Sequence, residues 1–134
     1  MELWKHVLSV AAILAVAGSS FAICARAADP DVSFDRQVLP ILNTHCSACH
    51  TPSGVGFAAV NLDLRTYAGL MSGSAGGMAV IPYHPERSQI MRVLDDDWHS
   101  ADQTALKMPP LGPQLSPDEL KVISEWIRQG AKNN

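Results

Sequence analysis

Residues 45–52 read HCSACHTP, and the rest of the chain is best read outward from this stretch. Two cysteines stand three positions apart, with a histidine directly after the second. On a helical turn Cys46, Cys49 and His50 share one face, because positions i, i+3 and i+4 are neighbours. One turn therefore presents two thiols and one imidazole to the same object. A redox dithiol of the thioredoxin kind needs an adjacent βαβ pattern, which the sequence lacks. Structural zinc needs four ligands, and there is no second C-x-x-C to complete the set.

Haem meets all three demands at once. Its two vinyl groups accept thioether bonds from Cys46 and Cys49, its iron accepts the His50 imidazole, and C-x-x-C-H is the attachment signature of c-type haem. The expected cofactor is one covalently attached haem c.

The N-terminus agrees with this chemistry, since such haem is attached outside the bacterial cytoplasm. A short polar region with Lys5 precedes an apolar run of 11 residues, Val7 to Ala17, and the small-residue tract CARAAD follows. Ala25 and Ala27 have the A-x-A spacing of a cleavage site, so residues 1–27 read as an export signal. Extended to Ala25 the run reaches 19 residues, enough to span a bilayer, and a retained membrane anchor is the alternative. Cys24 has the bulky Ile23 before it, where a lipid-attachment site prefers a small residue, and is expected to leave with the signal. Residues 28–134 then form one domain, and the periplasm is the expected location.

From Ala28 onward, 8 Lys and Arg face 12 Asp and Glu, a net charge of −4. That balance argues against a nucleic-acid partner, which requires a basic face. It suits steering toward basic redox partner proteins, the donor and the acceptor of electrons. Asp95, Asp96 and Asp97 are the strongest local charge and read as a solvated loop before a docking patch.

The pattern predicts an all-α fold of three to five short helices with long loops wrapped around the haem. Ser33 suits the N-cap of a segment beginning at Phe34, in which Pro40 should break or kink the helix. LRTYAGLMSG reads as a short helix ending at Gly73, and GSAGGMAVIPYHP as loop. HPERSQIMRVLDDD reads as one helix with Pro85 at its first position. The last helix carries the clearest signals: Ser116 as N-cap, Pro117 next and Glu119 completing a capping box. Leu115 and Leu120 suit a hydrophobic staple, Leu120, Ile123, Trp126 and Ile127 form an apolar stripe, and Gly130 ends the helix. Loops this long in a compact domain require an organiser, and a large buried cofactor is one.

The sixth iron position separates a carrier from an enzyme. A methionine there raises the potential. Met71, Met78, Met91 and Met108 are the candidates. Met91 lies inside a helix, where packing alone explains it, and Met71 and Met78 lack a rigid support. Met108 is followed by Pro109 and Pro110, which restrict the backbone that presents it. His84 or His99 would instead give a bis-histidine haem. Arg65, Tyr67 and Trp98 could reach the haem propionates, although packing or exposure accounts for each.

VSFDRQVLPILNTHCSACHTP, LRTYAGLMSG, PERSQIMRVL and KMPPLGPQLSPDELKVISEWIRQGA, in this order, resemble the planctomycete-type cytochrome c domain of the class I cytochromes c, from about Val32 to Ala131. The resemblance implies His50 and Met108 as the two axial ligands of the haem iron. It also implies N- and C-terminal helices packed together beside the haem, with Trp126 in the contact. A variation is that VGFAAVNLDL stands where the family often has a GG pair. The expected function is single-electron transfer without substrate turnover. The alternatives are a haem enzyme or gas sensor with an open sixth position, and a haem subunit of a membrane-associated dehydrogenase complex.

Overall fold

The structure, a computed structural model, describes residues 30–94 and 106–134. The expected export segment with Cys24, the Asp95–Asp97 run, Trp98 and His99 lie outside the described residues. Among the described residues, five α-helices follow a π-helical turn, Phe34–Val38: α1 (Leu39–His45), α2 (Val55–Val60), α3 (Tyr67–Ser72), α4 (Gln89–Leu94) and α5 (Pro117–Arg128). A 3-10 turn, Pro85–Arg87, precedes α4. Among the described residues there is no strand, only the isolated bridge between Ser74 and Gly77. The all-α, cytochrome c-like architecture expected from the sequence is what the chain adopts.

Pro40 shapes the first segment in a particular way. It has no N–H and its ring crowds the carbonyl four residues earlier, so a regular α-helix cannot run through it unchanged. The turn ahead of it widens instead: the N–H of Val38 donates to Ser33 O at 3.3 Å and that of Leu39 to Phe34 O. Pro40 then falls in the first turn of α1, where a missing donor costs nothing. Because of the widened turn, Phe34, Val38, Leu42 and Cys46, each four positions apart, are all buried. Ser33 caps the segment as expected, its hydroxyl accepting from the Arg36 N–H.

α5 closes the domain. Ile123, Trp126 and Ile127 are fully buried, and Trp126 lies 5.3 Å from Phe34 between ring centroids. Tyr67 meets Phe34 edge-on at 5.3 Å and donates its hydroxyl to Ala131 O at 2.9 Å, so core packing occupies it. The contact between the terminal segments is therefore made mainly by the π-helical turn against α5, with α1 extending beyond it. Lys132 pairs with Asp31 at 2.7 Å, and Asn134 accepts from the N–H groups of Phe34 and Asp35. α5 is followed by Gly130 at φ 101°, and α3 ends at Gly73 with φ 78°.

One expected helix is broken. Its described part, HPERSQIMRVL, forms the 3-10 turn and then α4, separated by Ser88 in an extended conformation with ψ 124°. The fully buried Ser88 hydroxyl accepts from the Ile81 N–H at 2.9 Å and donates to His84 O at 2.9 Å. That side-chain bonding competes with a continuous helix at this point.

The capping box of α5 is complete. Glu119 Oε2 accepts from the Ser116 N–H at 2.7 Å and its hydroxyl at 2.8 Å, while Oε1 accepts from His45 at 3.0 Å. The Ser116 N–H first, then the Ser116 hydroxyl and His45, hold the carboxyl down from its ordinary 4.5 to about 2. A carboxyl depressed by folding adds stability that is present above its unfolded value and is lost as pH falls toward its folded one. Glu119→Gln should therefore flatten the decline in urea midpoint between pH 4.5 and about 2. At neutral pH it should cost about 1 kcal/mol through the weakened cap.

Candidate haem-binding site

The attachment motif forms a single turn at the end of α1. The N–H of Cys46 donates to Leu42 O at 2.9 Å, which continues the helix. Cys46 itself departs from helical geometry, with φ −124°. The N–H groups of Cys49 and His50 then both return to Cys46 O, at 3.1 and 2.9 Å. The i, i+3 and i, i+4 backbone bonding of a helical turn is kept, in a turn rather than in the helix proper. Cys46 is buried as the last member of the apolar stripe, Cys49 is exposed, and both thiols are free.

His50 is buried and held from one segment of chain. Its Nδ1 lies 3.3 Å from Leu62 O, and its own carbonyl accepts from the Leu64 N–H at 3.0 Å. A carbonyl only accepts, so Nδ1 carries the proton and Nε2 is left with its lone pair. This is the arrangement by which a metal-bound histidine is oriented through its other nitrogen.

Two glycines make room for the turn. A Cβ on Gly54 would stand 2.1 Å from the Cys49 carbonyl oxygen, and one on Gly56 would stand 3.0 Å from both Cε1 and Nε2 of His50. Between them the chain enters α2, whose Gly56 and Phe57 N–H groups both donate to Cys49 O, at 3.0 and 3.2 Å. TPSGVG has the composition of a turn. The helix it begins exposes much of its surface and buries no residue fully, so it carries no core-facing stripe to read. The pairing of small residues at 54 and 56 was the available signal.

The donor set fits covalent haem c. Burial, and secondarily the neighbouring Cys49, raise the Cys46 thiol to about 11. That is the opposite of the lowered value that activates a redox dithiol. Among the described residues no three His, Cys, Asp or Glu side chains converge to hold a bare metal ion.

The remaining candidates are divided between the core and the surface. Met108 is partly buried and packs against the cluster that includes Cys46; its N–H donates to Val93 O at 2.7 Å. Pro109 is buried, the Met108–Pro109 peptide bond is cis, and Gln114 donates to Pro109 O at 2.8 Å. Met91 is a core residue of α4, Met71 packs against the core from the end of α3, and Met78 is 58% exposed. His84 is exposed and bonds Glu86 at 2.9 Å. Arg65 forms a two-point ion pair with Asp63 at 3.0 and 2.8 Å.

Fold and motif together define a helical haem-binding domain of the cytochrome c class. Residues 46–112, half of the chain, match the family model for Planctomycete cytochrome C, and the chain belongs to that family. The match runs from the attachment turn through the loop that holds Met108 and leaves out α1 and α5. No curated protein and no solved structure matches the chain. Membership identifies a haem-binding electron-transfer protein with covalently bound haem c.

Gly54→Ala meets backbone, which cannot yield cheaply, and should abolish accumulation of haem-loaded protein. Gly56→Ala meets the edge of the His50 ring at 3.0 Å and the Cys49 carbonyl oxygen at 3.1 Å, a milder approach than at Gly54, and should leave some loading but alter the visible spectrum. Haem per protein, measured as the pyridine haemochrome, checks both; full loading of Gly54→Ala contradicts the role given to this close approach.

Proposed function

We propose that the chain is an exported, monohaem carrier of single electrons, with His50 and Met108 as the axial ligands of iron and with no substrate of its own. The observation that carries the reading is the His50 imidazole, protonated at Nδ1 toward Leu62 O and therefore a ligand through Nε2. The sequence contains one C-x-x-C-H, which supports a single haem. Bound there, haem supplies a one-electron Fe(III)/Fe(II) couple.

The chain's own residues supply attachment, orientation and exclusion of water. Cys46 and Cys49 provide the two thioether sulfurs. Leu62 and Leu64 fix the imidazole through one bond to the ring and one to the backbone. Support for Met108 comes from its backbone anchor on α4, the buried proline after it and its packing against the Cys46 cluster. Met91 is fully engaged in the core and Met78 stands out in solvent.

Location in the periplasm rests on the N-terminal signal pattern. No described helix is long and apolar enough to cross a membrane. A net charge of −4 from Ala28 onward supports encounter with basic donor and acceptor proteins, steered over about the Debye length of 8–10 Å.

Met108→Ala should lower the reduction potential, remove the near-infrared sulfur-to-iron charge-transfer band of the oxidised protein and admit carbon monoxide. Met71→Leu, Met78→Leu and Met91→Leu, which roughly conserve volume, should keep the band. Ready binding of carbon monoxide by the wild-type protein would instead favour the enzyme or sensor reading. N-terminal sequencing of periplasmic protein should begin at Ala28; a membrane-bound form retaining Lys5 would reassign the chain to an anchored subunit.

A further inference from the structure

We propose that His45 is a positioning residue: its bond to Glu119 fixes the start of the haem-binding turn, and through it the His50 imidazole, to α5. The proposal rests on the reading of Cys46, Cys49 and His50 given under Proposed function.

His45 is the last residue of α1, and its Cα is about 3.8 Å from that of Cys46, a haem-bearing residue. Its side chain is 9% exposed, unusual for an imidazole closing a short helix, and burying a polar ring requires a partner. That partner is 74 positions away: Nε2 lies 3.0 Å from Glu119 Oε1. A carboxylate only accepts, so Nε2 donates.

The bond is placed where α1 and α5 otherwise meet little. Along the first helical segment α5 packs on the π-helical turn, at the end opposite the motif. The seven residues of α1 carry the chain about 10 Å beyond that contact at 1.5 Å per residue. The attachment turn thus starts at the far end of α1, and His45 ties that end to α5, in addition to the bonds that Leu62 and Leu64 make to His50. Glu119 is a firm anchor, because Oε2 is already engaged by the Ser116 N–H and hydroxyl while Oε1 serves His45. From His45 the restraint passes along an unbroken path: Cys46 N–H to Leu42 O, then His50 N–H to Cys46 O. A ligand's function depends on orientation to within about 0.5 Å, so a loose hinge here would be felt at the imidazole.

The test uses haem-loaded full-length protein and two readouts. Paramagnetically shifted haem-methyl resonances of the oxidised form report the orientation of the axial imidazole; the urea midpoint reports stability. His45→Phe keeps a ring but no donor, and His45→Asn keeps an amide too short to reach Glu119. Both should move the haem-methyl resonances. His45→Gln, whose amide nitrogen can take the place of Nε2, should return them toward wild-type positions. Ser33→Ala, which removes the cap at the other end of the segment, should lower the urea midpoint and leave the resonances in place. Unmoved resonances in haem-loaded His45→Phe and His45→Asn, with only the midpoint lowered, would overturn the proposal alone. A wild-type protein lacking a low-spin haem spectrum would overturn the underlying reading, and the proposal with it.

Discussion

The constraint on which the rest depends is the grip on His50. One segment, Leu62–Leu64, holds the residue twice, through the ring nitrogen Nδ1 and through the backbone carbonyl. The opposite side of the ring is approached by Gly56, where even a methyl group would press on Nε2. A buried imidazole in such a setting has one tautomer and one nitrogen available to a metal. The loops on both sides of the motif are shaped by that requirement. Residues 51–54 turn tightly against the Cys49 carbonyl, and residues 61–66 are drawn in to meet His50.

The helices serve this grip at a distance. Phe34, Val38 and Leu42 lead a buried stripe to Cys46, so the hydrophobic core and the attachment site are one continuous body. Trp126 closes the other end against Phe34, and truncating such a residue typically costs about 3–5 kcal/mol. A large apolar cofactor attached at the end of that stripe explains how a chain of short helices can sustain long connections.

Much of this was legible in the sequence because the controlling interactions are local. The capping box at Ser116 and Glu119, the Ser33 cap, the stop at Gly73 and the attachment motif each involve residues within a few positions of one another. Pro40 gave warning of an irregularity, but its form, a widened turn that brings residues 34, 38, 42 and 46 into register, depends on what the stripe packs against. The break at Ser88 depends on Ile81, and the burial of His45 depends on Glu119, 74 residues away. Neither leaves a local pattern. α2 leaves no such pattern for a related reason: its start is held by the Cys49 carbonyl and the fit of Gly54 and Gly56, while its own sequence buries nothing fully. The Cys46 and Cys49 spacing carried the functional reading almost alone, since no other chemistry uses two thiols and the next imidazole on one turn so economically.

The most direct measurement is the intact mass of the mature protein after denaturation and acid-acetone extraction. The account predicts a mass equal to the polypeptide plus one haem, with the added mass confined to the peptide that contains Cys46 and Cys49 and absent when both are changed to alanine. A polypeptide that emerges without haem, its iron porphyrin in the organic phase or its two thiols joined as a disulfide, would contradict it.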